Sequence, residues 1–162
     1  MKKKIGRQEP TIHFALPYSE TSGQDAVDLY ELTGGTVFDC QKIVINDILA
    51  RNEDGLWTHT RFGYSVPRQN GKGEILLLRE MYGLAAGERI IHTAHLTSTS
   101  HKAWERLCAI LDKFGIPYHS IKAKGQELIE LTDGGRVEFR TRTATGGLDE
   151  SYDLLIVDEA QE

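Results

Sequence analysis

The 162 residues are enough for one domain with a real core and too few for two comfortable ones. Nineteen basic against 24 acidic side chains leave a net charge of −5, which argues against a protein coated in positive charge for nucleic acid. It leaves room for one that grips such a polymer through a few local cations. Hydrophobic content of 40% and charged content of 27% are ordinary for a soluble globular domain, and no run approaches the length of a membrane span.

The chain opens on Lys2, Lys3 and Lys4, the charged start of a signal peptide, but no apolar stretch follows and the lysines read as a solvated tail. Residues 1–20 are expected to be irregular, because Pro10 and Pro17 block long helices. Residues 22–32 predict a short helix closed by Gly34 and Gly35. Residues 38–50 place Ile43, Val44, Asp47, Ile48 and Leu49 at near-helical spacing and predict an amphipathic helix, followed by a turn over 52–55. The only cysteines, Cys40 and Cys108, lie far apart and read as reduced thiols of a cytosolic protein.

Residues 57–66 are rich in β-formers and predict a strand running into Pro67, Arg68, Gln69, Asn70, Gly71, Lys72 and Gly73. Residues 74–86, with Ile75, Leu78, Met81, Tyr82 and Ala85 on one side, predict a helix stopped near Gly87. A strand over 89–94 follows, then a polar loop over 95–100 in which Ser100 caps a helix over 101–114. Residues 116–123 and 127–131 read as strands, and 132–135 as a hairpin turn into a strand over 136–142, where Val137, Phe139 and Thr141 alternate with charged residues. After a loop over 143–147, residues 153–157 form a continuous apolar run, as expected of a central parallel strand buried on both faces. The order is that of an α/β sandwich.

Two motifs carry chemistry. A phosphate-binding loop needs backbone N–H groups aimed into one concavity, a lysine reaching the β and γ oxygens, and a helix N-terminus behind them. Gly71 and Lys72 stand where the expected strand ends and a helix starts, the context that would confirm such a loop, although Val66 occupies the first glycine position of G-x-x-x-x-G-K-[ST] and Gly73 replaces the hydroxyl that ligates Mg²⁺. The second motif is Leu154, Leu155, Ile156 and Val157 followed by Asp158 and Glu159, an apolar strand that delivers two carboxylates in Walker B fashion. In such a site Asp158 holds Mg²⁺ and Glu159 polarises the attacking water.

Residues 66–74 resemble the Walker A segment of tailed-phage terminase large subunits, a family that tolerates loss of the first glycine and favours an arginine shortly before the lysine. Gly after the lysine, Gln41 at the place of an adenine-reading glutamine, Thr93-Ala94-His95 before the helix around Trp104, and residues 153–161 are similar to that family as well. Gln8 is the rival for adenine, and both amides also read as bland surface groups.

The resemblance covers about residues 38–162. It implies a P-loop NTPase (RecA/ASCE-like) three-layer α/β sandwich with a mainly parallel central sheet, incomplete at its C-terminus. Residues 1–35 would be a lead-in and 36–162 a partial ATPase domain, with the coupling motif and nuclease domain lying beyond Glu162.

The implied activity is ATP hydrolysis with Mg²⁺ that drives double-stranded phage DNA into a procapsid. The implied partners are the terminase small subunit, the portal protein and further copies in a ring, in the cytoplasm of a bacterial host and without a membrane. Pro67 to Gly73 and Gln41 would bind nucleotide, Arg68, Lys72 and Glu159 would act in catalysis, and Asp158 would hold the metal. The family's arginine before Walker B is missing at Gly146-Gly147-Leu148, leaving Arg140 and Arg142 as the nearest replacements. The alternatives are a superfamily-2 helicase, whose box Asp158-Glu159-Ala160-Gln161 echoes, and a non-catalytic nucleotide-binding or oligomerisation module. Histidines 92, 95 and 101 read as ordinary surface or semi-buried side chains rather than metal ligands, and Trp57 and Trp104 as core or boundary aromatics.

Overall fold

Where the sequence places helical spacing between glycines, helices form close to the expected bounds. A computed structural model describes residues 6–67, 69–132, 134–142 and 151–160. These fall into two compact units divided between Arg79 and Glu80.

In the first unit β1 (Glu20–Thr21) precedes α1 (Gly23–Glu31), which buries Ala26, Val27 and Tyr30. Helix α2 (Asp39–Ile48) packs on α1 and leads into β2 (Ala50–Arg51), which pairs antiparallel with β1. The buried side chains of α2 are Gln41, Ile45 and Asp47, while Ile43, Val44 and Ile48 are only half-buried. Two polar groups point inward because each has a partner. Gln41 caps its own helix by accepting the Phe38 N–H at 2.8 Å, and Asp47 Oδ2 meets His13 Nε2 at 2.6 Å.

The irregular segment before β1 is tied down by His59. The Leu16 N–H donates to His59 Nε2 at 2.9 Å, which leaves Nδ1 to donate to the Asp47 carbonyl at 2.9 Å.

The strand expected over 57–66 does not form. Trp57 makes one isolated antiparallel bridge to Arg51, whose guanidinium lies 3.9 Å from the Trp57 ring centroid, and residues 58–67 are irregular. β-forming side chains need a neighbouring strand to complete the ladder, and Gly63 and Pro67 weaken any run that lacks one.

Helix α3 (Lys72–Ala85) carries the chain into the second unit. There β3 (Arg89–Ala94), α4 (Thr97–Lys113), β4 (Tyr118–Ile121), β5 (Gln126–Leu131), β6 (Arg136–Thr141) and β7 (Leu154–Val157) follow. The five strands form one mixed sheet in the order β4-β5-β6-β3-β7. Strands β6, β3 and β7 are parallel, but β4-β5 and β5-β6 are antiparallel, so the sheet is not mainly parallel. The tight turn into Arg136 explains this, because a connection that short joins only antiparallel neighbours. The architecture is α/β, with four helices among the described residues.

One face of the sheet carries Ile90, His92, Val137, Phe139, Ile129 and Ile156, all buried, and α4 packs on β3, β5 and β6. Helix α4 starts four residues earlier than expected, with Leu96 at its N-cap. Ser100 sits buried inside the first turns, donating to the Thr97 carbonyl at 3.1 Å instead of capping. The run at 153–157 is not buried on both faces either. Among the described residues β7 pairs with β3 alone, and Leu155 and Val157 are 60% and 43% exposed.

Candidate functional site

The lysine loop belongs to the first unit and the acidic strand end to the second. In the loop, Asn70 Nδ2 donates to the Pro67 carbonyl at 3.1 Å, which folds the segment back on itself. Gln69 adopts φ 63° and Gly71 φ 76°, two left-handed residues in a short span. Helix α3 begins at Lys72 itself, so the lysine side chain and the positive end of the helix dipole arise at the same point.

Three first-unit side chains brace this start. The Tyr64 hydroxyl donates to the Lys72 carbonyl at 3.0 Å, the Tyr30 hydroxyl donates to Glu74, and Gln41 Nε2 donates to the Gly71 carbonyl at 3.3 Å. The Glu74 N–H also closes on the Gly71 carbonyl at 3.1 Å.

Gln41, expected to read adenine, is buried, with both ends of its amide engaged inside the chain. Gln8, its rival, accepts the Cys40 N–H at 3.4 Å. A β-carbon at Gly71 would stand 2.6 Å from Gln41 Nε2, so the close approach of that amide and the positive φ both require glycine. Gly73 has open space around it. Pro67, Gln69 and Asn70 are exposed, while Arg68 lies outside the described residues.

In the second unit, β7 carries Asp158 and Glu159 out of the parallel part of the sheet at its C-terminal edge. The Asp158 N–H continues the ladder to the Thr93 carbonyl at 2.8 Å, and Asp158 Oδ1 accepts the Glu159 N–H at 2.8 Å. Glu159 has φ 54°, in the left-handed region that non-glycine residues rarely occupy.

The turn is held from outside by Arg142. Its Nη1 donates to the Asp158 carbonyl at 3.1 Å and its Nη2 to the Glu159 carbonyl at 2.9 Å. Arg140 donates through Nε to Glu138 at 2.9 Å, and Arg136 pairs with the same carboxylate. Burial alone would push the Glu138 carboxyl up, but the two guanidiniums, Arg140 first, hold it below its ordinary value. Both replacement arginines are thus engaged within the chain. The spacing Arg136, Glu138, Arg140 on one strand face was the signal for the second cluster.

His92 is fully buried against Glu80, deeper than the surface or half-buried place expected of it, and His101 bridges Glu105 at 3.3 Å and Glu127 at 2.7 Å. Trp104 is buried and donates to the Leu128 carbonyl at 3.3 Å. Among the described residues no group of three or more His, Cys, Asp or Glu is placed to hold a metal, and no helix is long and apolar enough to cross a membrane. Mg²⁺ commonly takes one or two carboxylates and completes its shell with phosphate oxygens and water. The glycine-rich stretch Gly146-Gly147 lies outside the described residues. Comparison with protein-family models, curated proteins and solved structures finds no match to this chain.

Proposed function

We propose that the chain is a P-loop ATPase, the ATPase region of a tailed-phage terminase large subunit. The observation that supports this most is the start of α3 at Lys72, directly after a left-handed Gly71. That is the helix side of the strand–loop–helix context a lysine-bearing phosphate loop uses. The strand β7 ending in Asp158 and Glu159 is the second support.

In this reading Lys72 and the backbone of residues 70–73 bind the β and γ phosphates, and Arg68 senses or stabilises the γ-phosphate. Asp158 holds Mg²⁺, which neutralises the phosphate charge, and Glu159 orients water. The whole motor would act on double-stranded DNA with a small subunit, a portal protein and further copies in a ring. Gly73, which brings no hydroxyl, and the irregular segment before the loop favour a second reading, a nucleotide-binding module without turnover.

Binding of a fluorescent ATP analogue with Mg²⁺ tests the assignment. Lys72→Ala is expected to abolish binding, Asp158→Asn to weaken it in a Mg²⁺-dependent way, and Glu159→Gln to preserve it while removing any hydrolysis. Equal binding by wild type and Lys72→Ala would overturn the reading. Tight binding without turnover in any assembly would favour the module instead.

A further inference from the structure

A groove of 580 Å³ in the second unit is lined by Ser98, His101, Lys102, Glu105, Lys122 and Lys124. One wall is the first half of α4 and the other is the turn between β4 and β5. Three lysines face Glu105 in the lining and the buried Glu127 carboxylate behind it, which leaves a local excess of positive charge on a chain whose net charge is −5. None of these six residues belongs to the lysine loop or the acidic strand end.

The groove is built rather than incidental, because one buried carboxylate joins its walls. Glu127 accepts from His101 Nδ1 on α4 at 2.7 Å through one oxygen, and from the Gly125 N–H in the β4–β5 turn at 3.1 Å through the other. Gly125 has φ 83°, a left-handed conformation that side-chain-bearing residues rarely adopt, so the turn favours glycine there. Beneath the cations, Trp104 stacks on His101 with ring centroids 5.4 Å apart, and Lys122 Nζ lies 5.4 Å from the Trp104 ring centroid.

We infer that this groove holds the phosphodiester backbone of a nucleic acid. Lysine presents a compact charge suited to successive phosphates, and Ser98 adds a hydroxyl donor. An acidic polypeptide would call for the arginine fork that grips carboxylates and for an aromatic or apolar anchor, and the lining has neither an arginine nor an apolar side chain. Trp104 is buried, and the one ring in the lining, His101, is held by Glu127 and stacked on Trp104, so contact falls on the backbone without sequence preference.

The test measures binding of a labelled random-sequence duplex, and of the matching single strand, to the chain over a range of salt concentrations. Wild type is expected to bind at low ionic strength, with the log of the binding constant falling linearly with log salt. Lys102→Gln, Lys122→Gln and Lys124→Gln together should lower affinity about tenfold or more and reduce the salt slope by about 2 to 3. A variant with the same charge change elsewhere, Arg7→Gln, Lys42→Gln and Arg61→Gln, should lose less than about threefold.

Comparison of duplex with single strand identifies which form the groove takes. No binding by wild type, equal loss in both triple variants, or stronger binding of poly-glutamate than of either nucleic acid would overturn the inference. Lys72→Ala should leave nucleic-acid binding intact, and the groove variant should leave binding of the ATP analogue intact, so failure of one proposal does not entail failure of the other.

Discussion

Gly71 and Gly73 stand two residues apart and tolerate change very differently. Gly71 combines φ 76° with a buried amide 2.6 Å from where a β-carbon would sit. Gly71→Ala is expected to destabilise the chain by about 2 kcal/mol or more, as the sum of left-handed strain and displacement of Gln41. Gly73 lies within the first turn of α3 in open space. Gly73→Ser should fold normally, change stability by less than ~1 kcal/mol, and leave Mg²⁺-dependent nucleotide binding unchanged or tighter. Urea denaturation of both variants, with nucleotide titration of the second, checks the pair. A Gly73→Ser chain that folds but loses metal-dependent binding would show that the loop needs glycine for the ligand rather than for the fold.

At the scale of elements, β6 turns its charged face into two devices. Arg142, just past its end, clasps the Asp158 and Glu159 carbonyls, and Glu138 in its middle gathers Arg136, Arg140 and the Tyr152 hydroxyl at 3.2 Å. A carboxyl whose folded value is depressed stabilises the fold above its unfolded value, about 4.3, and that contribution disappears as pH falls through the lower folded value. Glu138→Gln should therefore cost about 1–3 kcal/mol near neutrality, and the gap from wild type should close in acid. Thermal melts at stepped pH measure it; a gap that stays constant below pH ~4 would mean the damage is to packing rather than to the charge pair.

Much of this was legible in the sequence. The hairpin strands and α3 followed from local alternation, glycine stops and apolar spacing, signals that act within a few residues. The strand expected over 57–66 was not legible, because a strand exists only through its neighbour and the residues do not say which neighbour will be there. The start of α4 was misplaced for a related reason. Ser100 has the chemistry of a cap, but its hydroxyl found the Thr97 carbonyl and the helix ran past it. That Lys72 would open a helix and Asp158–Glu159 would end a strand was readable from local pattern, whereas the clasp by Arg142 depends on β6 and β7 flanking β3, a long-range fact.

For the molecule as a whole, the two ends of the five-stranded sheet are unequally guarded. Strand β4 is preceded by Pro117 and carries His119 and Ser120, with Ile121 at its end 44% exposed. Proline and polar side chains blunt an edge of this kind. Strand β7 reads Leu-Leu-Ile-Val, has β3 as its one partner among the described residues, and exposes Leu155 more than any other residue of the strand. An apolar edge with free backbone donors and acceptors is a template for pairing with a second chain. The isolated chain is therefore expected to self-associate as concentration rises, and Leu155→Lys to suppress this by placing a charge on the strand. Ile121→Lys, made at the guarded edge, should suppress it far less. Sedimentation velocity over a concentration series separates the cases. A monodisperse wild-type monomer throughout, or equal suppression by both lysine variants, would show that β7 is not the sticky edge and that the exposure of Leu155 and Val157 carries no consequence for association.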